Sequence, residues 1–272
     1  MLPADYHMHT PLCRHAEGWP VEYAARAVEL GIEEIGFSDH APFREERDDW
    51  RMLAEELPRY AGEVEKAQAA FPELTIRLGL EVDYLPGEEE WIAELSQTLP
   101  YDYLIGSVHY LAPDWDFDNP KWIGRFEERP VEEVWELYWG EYGKAIRSGL
   151  FDVMGHPDLV KKFGHRPEGD LRRFYEPAIE SMREVGCAYE INTAGLRKAA
   201  AERYPHDDFV RLAAQAGIPL TFGSDAHAPE EVGAEFEGAV KVALDAGYKQ
   251  TARFKTRERR LVPLTNSSDS SA

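Results

Sequence analysis

Residues 21–39, VEYAARAVELGIEEIGFSD, contain an amphipathic run, a glycine and a short apolar run, in that order. Apolar residues recur at helical spacing over Val21–Leu30, and Gly31 then indicates the end of a helix, because glycine adopts the left-handed backbone conformation easily. The apolar residues of Ile35–Asp39 indicate a buried strand. The stretch is therefore one helix–strand unit, and its repetition along the chain decides the fold.

The same alternation recurs over most of the chain. Strands are predicted near Asp5–His9, Ile35–Asp39, Ile76–Asp83, Tyr103–His109, Asp152–His156, Ala188–Asn192 and Leu220–Asp225. Helices are predicted over Val21–Leu30, Trp50–Phe71, Val131–Ile146, Leu171–Val185, Asp207–Ala216 and Glu230–Ala246. Alternating strands and helices favour a parallel sheet with right-handed crossovers, either open or closed. Seven units favour closure, so we predict an α/β fold with a closed barrel.

Length and composition indicate one large globular domain. The chain has 272 residues, and its 43% hydrophobic content is enough to bury a sizeable core, which excludes a disordered protein. We expect a single domain over residues 1–264. The Ser-rich residues 265–272 are predicted to be a flexible tail, and residues 111–120 a long loop.

Charge and cysteine content exclude several partners. The net charge of −21 disfavours long nucleic acid as a partner, because a phosphate backbone is bound largely through Lys and Arg. No apolar run approaches the roughly 18 residues of a membrane span, and Asp5, His7 and His9 stand where a secretory leader would be apolar. With only two cysteines, we expect a soluble cytoplasmic protein.

Seven of the nine histidines stand at or just after the end of a predicted strand: His7, His9, His15, His40, His109, His156 and His227. In a parallel barrel the carboxyl ends of all strands lie on one face, which carries the active site. We therefore expect these side chains to meet there. His165 and His206 lie outside the pattern and are predicted to be structural or surface residues.

The residues beside these histidines indicate a metal site. His7 and His9 point the same way on a strand, and Asp225 with His227 repeats their spacing. Glu81 is a carboxylate in an otherwise apolar strand, where a buried negative charge requires a cation. Imidazole and carboxylate ligands suit Zn²⁺, Fe²⁺ or Mn²⁺, and nine donors are enough for more than one ion. Cys13 is near in sequence, but we interpret it as a buried or loop thiol.

In order along the chain, six segments resemble the motifs of the PHP (polymerase and histidinol phosphatase) family. The segments are Asp5–Thr10, Ser38–His40, Gly79–Asp83, Ser107–His109, Gly155–Asp158 and Gly223–His227, and the resemblance covers roughly residues 5–230. Longer runs are similar to the members that act on histidinol phosphate, namely residues 79–87, 107–118, 151–164 and 190–198.

The resemblance implies a distorted (β/α)7 barrel with three divalent ions, which can be zinc, iron or manganese. The first ion would be held by His7, His9, Glu81 and Asp225. Glu81 would bridge to a second ion held also by His109 and His156, and the third would be held by His15, His40 and His227. The implied reaction is hydrolysis of the phosphate monoester L-histidinol phosphate to L-histidinol and phosphate, a step of histidine biosynthesis.

Further roles follow from this reaction. Hydroxide on the His109 and His156 side is expected to attack phosphorus. The predicted phosphate-binding residues are Arg197, His15 and His227, the two histidines acting through the third ion. The predicted catalytic acid is His40 or Asp39. Acidic residues of the loop Phe43–Trp50, namely Glu45, Glu46 and Asp48, are candidate partners for the ammonium and imidazole of the substrate.

Three alternatives remain open. A PHP phosphoesterase that acts on nucleotides or another small phosphomonoester is disfavoured by the acidity of the chain. An amidohydrolase also begins with His-x-His but usually carries a carboxylated lysine on a middle strand, where this chain has Glu81 and His109. A non-catalytic metal-binding module is disfavoured because all nine donor positions are filled.

Overall fold

The computed structural model describes residues 2–265. Its strands are β1 (Glu34–Phe37), β2 (Thr75–Asp83), β3 (Tyr103–Ser107), β4 (Tyr110–Ala112), β5 (Trp115–Asp116), β6 (Val153–Met154), β7 (Ala188–Asn192), β8 (Leu220–Gly223), β9 (Gln250–Lys255) and β10 (Glu258–Pro263). Six of them form one parallel sheet in the order β1-β2-β3-β6-β7-β8. Strands β4 and β5 form one antiparallel hairpin, and β9 and β10 form another.

The helices are α1 (Pro20–Glu29), α2 (Leu57–Ala70), α3 (Glu89–Leu95), α4 (Val131–Ser148), α5 (Arg172–Val185), α6 (Asp207–Gln215) and α7 (Phe236–Asp245). Each of the longer ones buries one stripe, as Tyr60, Val64 and Ala67 do on α2. Helices α4 and α5 end at Gly149 and Gly186, which have the left-handed backbone conformation expected of a helix-ending glycine.

The segment Asp5–His9 closes the barrel between the two edges of the sheet. On one side the Gly36 amide donates to the Asp5 carbonyl at 2.7 Å. On the other side the Tyr6 amide donates to the Phe222 carbonyl at 3.0 Å. The segment makes isolated bridges rather than the regular strand predicted for it. It nevertheless occupies the seventh position, and the predicted single-domain (β/α)7 barrel, distorted at this position, is confirmed.

The amino end of the barrel is filled by apolar side chains and covered by the β9–β10 hairpin. Tyr103 and Ile105 lie on the same face of β3, and they belong to one buried cluster with Tyr6 and with Phe254 of β9. The amide of Arg257, in the turn of this hairpin, donates to the carbonyl of Asp102 immediately before β3. With this end filled, the opposite end, where the strands terminate, is the one available for a site.

The element boundaries differ from the prediction at several places. Helix α2 begins at Leu57 rather than Trp50, because Pro58 is tolerated only in the first turn of a helix. Helix α7 begins at Phe236 rather than Glu230, after a short 3-10 turn over Pro229–Glu231. Strands β4 and β5 lie where residues 111–120 were predicted to form a loop. Of the predicted tail, residues 266–272 lie outside the described residues.

Among residues 2–265, the structure contains no helix with both the length and the apolar character needed to cross a membrane.

The buried carboxylate of Asp5 ties the closing segment to the last strand of the barrel. It accepts hydrogen bonds from the amides of Ser224 and Gly233, each at 2.9 Å, and from the amide of His7 at 3.4 Å. Removing the acceptor leaves these amides without their partner. We expect Asp5→Ala to lower the free energy of unfolding by about 2–4 kcal/mol, measured by urea denaturation without metal.

The matched control is Glu65→Ala on the exposed face of α2, which should change the stability by less than about 0.5 kcal/mol. An equal, small effect of both substitutions would show that Asp5 does not hold the barrel closed.

Candidate metal centre

All nine predicted donors lie together at the carboxyl end of the barrel. Several lie two or three residues after the end of a strand: His40 follows β1, His109 follows β3, and Asp225 follows β8. They surround a cavity of about 440 Å³, a volume typical of small-molecule sites. Seven of the nine line this cavity, whereas His7 and His9 are buried behind the others.

Glu81 lies at the centre of the cluster, and its two oxygens face two different groups of histidines. Its Oε2 is 3.4 Å from His7 Nε2 and 3.8 Å from His9 Nε2. Its Oε1 is 2.8 Å from His156 Nε2 and 3.7 Å from His109 Nε2. This arrangement is the one expected of a carboxylate that bridges two cations.

The donor atoms on the Oε2 side fit a single ion. Asp225 Oδ1 is 3.2 Å from His9 Nε2 and 4.0 Å from His7 Nε2. A tetrahedral zinc site with bonds of about 2.0–2.2 Å separates its ligand atoms by about 3.3–3.6 Å, which lies within the 3.2–4.0 Å spread of the distances here. Asp225 has a φ of 53°, a left-handed conformation that is uncommon outside glycine and recurs at functional sites.

The third predicted set is also assembled. The ligand atoms of His15, His40 and His227 lie within 4.8 Å of one another, and the Nε2 atoms of His15 and His227 are 2.9 Å apart. His40 connects this set to the first, because its Nδ1 is 2.7 Å from Glu81 Oε2. The thiol of Cys13 lies within reach of His9 and His227, although the sequence indicated only a buried or loop thiol.

Buried polar atoms without partners show that these residues fit a metal. Within residues 2–265, His7 Nε2, His40 Nδ1 and Glu81 Oε2 are buried, and although Glu81 Oε2 lies 2.7 Å from His40 Nδ1 and 3.4 Å from His7 Nε2, these atoms are not oriented to hydrogen-bond one another. Leaving a buried donor or acceptor unpaired costs about 1–3 kcal/mol each. Since these three atoms face one another at the centre of the cluster, cations bound between them would satisfy all of them.

A second layer of acceptors orients the histidines. His7 Nδ1 is 2.9 Å from Glu190 Oε1, and His109 Nδ1 is 2.9 Å from Asp83 Oδ1. His15 and His227 direct their Nδ1 atoms at main-chain carbonyls, at 2.7 and 3.1 Å. Holding Nδ1 in this way leaves Nε2 free to bind a metal.

The sequence analysis did not assign roles to Glu190 and Asp83, although the signal that identified Glu81 applies to both. Each is a buried carboxylate in an apolar strand, and Asp83 is on the same face of β2 as Glu81. Glu190 also accepts a hydrogen bond from the amide of His156 at 2.8 Å. Gly223 makes room for it, since a Cβ there would lie 2.4 Å from Glu190 Oε2.

The electrostatics of the cluster favour cations. Burial by itself lowers the pKa of His7, but Glu190, Glu81 and Asp225 raise it well above its ordinary value. Burial by itself raises the pKa of Glu81, but the imidazoles beside it, those of His40 and His7 first, hold it well below its ordinary value. Glu81 therefore stays ionised at neutral pH. Metal ions would displace protons from the histidines, so metal affinity should fall as the pH is lowered.

Asp39 contacts and positions residues behind the cluster, and its role as catalytic acid stays a prediction. It is fully buried, and Oδ2 accepts hydrogen bonds from the amide and the hydroxyl of Thr10. Oδ1 accepts from the amide of His40 at 2.8 Å and lies 3.4 Å from His9 Nδ1. Both oxygens are therefore engaged, and Asp39 does not line the cavity. His40 as the acid stays a prediction.

Arg197 lies beside the cluster but does not line the cavity. Its Nη2 donates to the carbonyl of Ser224 at 2.7 Å, and its Nε is 3.0 Å from Glu231 Oε1. The lysines that line the cavity are Lys162 and Lys198. Phosphate binding by Arg197 stays a prediction.

The acidic loop lines the cavity through Asp49 and Trp50, but not through Glu45, Glu46 or Asp48. Asp48 pairs with Arg51 at 2.9 Å and accepts a hydrogen bond from the hydroxyl of Tyr110 at 2.7 Å. Glu45 and Glu46 are exposed outside this cavity. His165 stacks on Phe126, and His206 caps helix α6, so both are structural as predicted.

Comparison with known proteins identifies the class to which this barrel and cluster belong. The PHP domain model matches residues 5–194, and the PHP-associated model matches residues 205–236. The chain therefore belongs to the PHP family.

Two relatives and one solved structure show what the chain is similar to within that family. A probable histidinol-phosphatase of Deinococcus radiodurans is 44% identical over 256 residues, covering 93% of this chain and 97% of the relative. The histidinol-phosphatase of Bacillus subtilis is 33% identical, covering 87% and 98%. The crystal structure of histidinol phosphate phosphatase from Lactococcus lactis, complexed with zinc, L-histidinol and phosphate, has a TM-score of 0.81 at 23% identity, covering 95% and 98%.

Zinc content should depend on which donor is removed. His15 belongs to one donor group, whereas each oxygen of Glu81 faces a different group. We expect about three zinc ions per chain in the unmodified protein, about one fewer in His15→Ala, and a larger loss in Glu81→Ala, measured by elemental analysis after dialysis. His206→Ala is the control and should retain all the zinc. Equal losses from His15→Ala and Glu81→Ala would contradict the bridging position of Glu81.

Loss of the second layer should weaken metal binding without removing a ligand. Glu190→Gln retains the shape of the side chain but removes the charge that orients His7 Nδ1. We expect zinc affinity to fall about 10–100-fold, measured by competition with a chromogenic chelator. Unchanged affinity would show that Glu190 serves only the packing of the barrel.

Proposed function

We propose that this protein is a metal-dependent phosphatase that hydrolyses L-histidinol phosphate to L-histidinol and phosphate. The observation that carries the proposal is the cage of nine imidazole and carboxylate donors, with Glu81 at its centre, at the open end of the barrel. Histidinol-phosphatases of 44% and 33% identity that align over nearly their whole length support the choice of substrate.

Three divalent ions, zinc, iron or manganese, are proposed to occupy the cage. His7, His9, Glu81 and Asp225 would hold the first. Glu81, His109 and His156 would hold the second, and His15, His40 and His227 the third. When bound, the ions supply positive charge for the phosphate oxygens and a water molecule of lowered pKa as nucleophile.

The protein's own residues fix this arrangement before the substrate arrives. In the reaction a bond forms between the water oxygen and phosphorus, the ester bond from phosphorus to the alcohol oxygen breaks, and that oxygen takes a proton. Glu190 and Asp83 hold the rings of His7 and His109 in place, so little reorganisation is needed during the reaction.

The indole of Trp50 shields one side of the cluster. Its ring centroid lies 4.8 Å from that of His40 and 5.7 Å from that of His109, and it meets both edge-on. An apolar wall against the ligands excludes water and strengthens the electrostatic interactions inside the site.

We propose that the phosphate binds at the more accessible end of the cluster. His15 is exposed and His227 is half-buried, and both line the cavity, whereas His7 and His9 are fully buried. A ligand entering from solvent therefore meets the His15 and His227 end first. Arg197 is proposed to support the phosphate from the adjoining loop, since its Nη1 is buried and has no hydrogen-bond partner within residues 2–265.

We place the reaction in histidine biosynthesis and in the cytoplasm. Cys13 and Cys187 are both free and buried, as is usual in a reducing compartment. Complementation of a histidine auxotroph that lacks histidinol-phosphatase tests this placement: growth without histidine is expected, and failure of the expressed, active protein to support growth would contradict it.

Phosphate release tests the proposed reaction directly. Treatment with a chelator should abolish hydrolysis, and zinc or manganese should restore it. The restored protein should act on L-histidinol phosphate with a kcat/KM at least about 100-fold above that for nucleotides and sugar phosphates. His9→Ala should lower kcat by at least about 100-fold, because it removes a ligand, and His206→Ala should not change it. A preference for nucleotides would instead favour the alternative PHP activity.

A further inference from the structure

The hairpin formed by β4 and β5 contributes two carboxylates to the cavity wall, Asp116 and Asp118. Asp118 is neutralised by Lys162, whose Nζ lies 2.7 Å from Asp118 Oδ2 and 2.8 Å from the carbonyl of the same residue. Among residues 2–265, Asp116 has no such cationic partner. Its Oδ2 accepts hydrogen bonds from two neutral groups, Trp50 Nε1 at 3.2 Å and Asn119 Nδ2 at 3.1 Å.

The other oxygen of Asp116, Oδ1, is offered no hydrogen-bond donor by residues 2–265, and the neighbouring charged group is the carboxylate of Asp118. Asp116 is only 6% exposed, and Oδ1 is buried with no hydrogen bond to any described residue. Burial and the neighbouring Asp118 raise the pKa of Asp116 to about 7, so its negative charge is poorly compensated within the protein. An unpartnered buried carboxylate oxygen at the wall of a ligand cavity indicates that a ligand supplies the missing donor.

The position of Asp116 relative to the metal ligands suits one part of the proposed substrate. The same Trp50 that donates to Asp116 packs against His40 and His109, so one indole ring separates the carboxylate from the cage. In L-histidinol phosphate the carbon that bears the amine is bonded directly to the carbon that bears the phosphate ester. With the phosphate at the cage, the first charged group beyond it is the ammonium.

We propose that Asp116 is a specificity-determining residue that binds the primary ammonium group of the substrate. The inference rests on the proposed function and assigns one of the contacts that select histidinol phosphate among phosphate monoesters. The ammonium is chosen over the imidazole because a buried, unpaired carboxylate is best matched by a full positive charge. An imidazole with an ordinary pKa of about 6.5 is mostly neutral at pH 7.5.

The test compares variants on two substrates. One is L-histidinol phosphate, and the other is its analogue without the amine, 3-(imidazol-4-yl)propyl phosphate. Asp116→Asn should raise KM for L-histidinol phosphate about 10–100-fold, leave kcat within about 3-fold, and change kcat/KM for the analogue by less than about 3-fold. Asp114→Asn, an exposed residue in the turn of the same hairpin, is the matched control and should leave both substrates unaffected.

A second measurement uses the unmodified protein and does not depend on the folding of a variant. L-Histidinol should inhibit at least about 10-fold more tightly than 3-(imidazol-4-yl)propan-1-ol, and 2-aminopropane-1,3-diol should inhibit more tightly than propane-1,3-diol. Both compounds of the second pair lack the imidazole, so their difference in inhibition reports the contribution of the amine alone.

The outcomes separate this inference from the proposed function. If the unmodified protein prefers L-histidinol phosphate but Asp116→Asn retains that preference, or loses activity on both substrates equally, the assignment of Asp116 is wrong and the proposed function stands. If the inhibitors that lack the amine bind as tightly as those that carry it, the assignment is likewise overturned. If the unmodified protein is a metal-dependent phosphatase without preference for L-histidinol phosphate, the proposed function itself fails.

Discussion

The buried negative charge of Glu81 is the constraint on which the rest of the site depends. An ionised carboxylate that is 1% exposed at the centre of a barrel is stable only when positive charge lies beside it. The protein supplies no Lys or Arg within salt-bridge distance of Glu81 among residues 2–265, and instead surrounds it with imidazoles. Imidazoles that leave their lone pairs free bind divalent cations well, so the arrangement is complete only with metal ions.

The barrel makes this arrangement possible because it collects side chains that are far apart in sequence. His7 and Asp225 are separated by more than two hundred residues, yet they meet because Asp5–His9 closes the barrel beside β8. Closure therefore serves both the fold and the site. Behind the ligands, Glu190 on β7 and Asp83 on β2 fix the imidazoles of His7 and His109, so the orientation of these two rings is set by strand residues.

Much of the fold and the donor set could be predicted from the sequence because both rest on local patterns. Alternating apolar runs and glycine signals identified the βα units, and the histidines at strand ends followed from the geometry of parallel sheets. Contacts that depend on tertiary packing were not accessible in this way. Asp39 looked like a candidate acid, and only the structure shows that Thr10 and His9 occupy both of its oxygens.

The residues that face the substrate were the least predictable. Asp48 lies in an acidic loop, but its carboxylate pairs with Arg51 and accepts a hydrogen bond from Tyr110. No local sequence pattern predicts these contacts. Asp116 lay in a stretch predicted to be a loop, and its significance comes from an oxygen left without a partner after folding. Helix α2 begins later than predicted for a local reason, since the position of Pro58 in the first turn sets the boundary.

Anomalous diffraction at the zinc absorption edge from crystals of the zinc-loaded protein tests the central claim most directly. The account predicts three peaks: one between Glu81 Oε2 and Asp225, one between Glu81 Oε1 and His156, and one among His15, His40 and His227. A single peak, or peaks that leave Glu81 without a metal on either side, would contradict it.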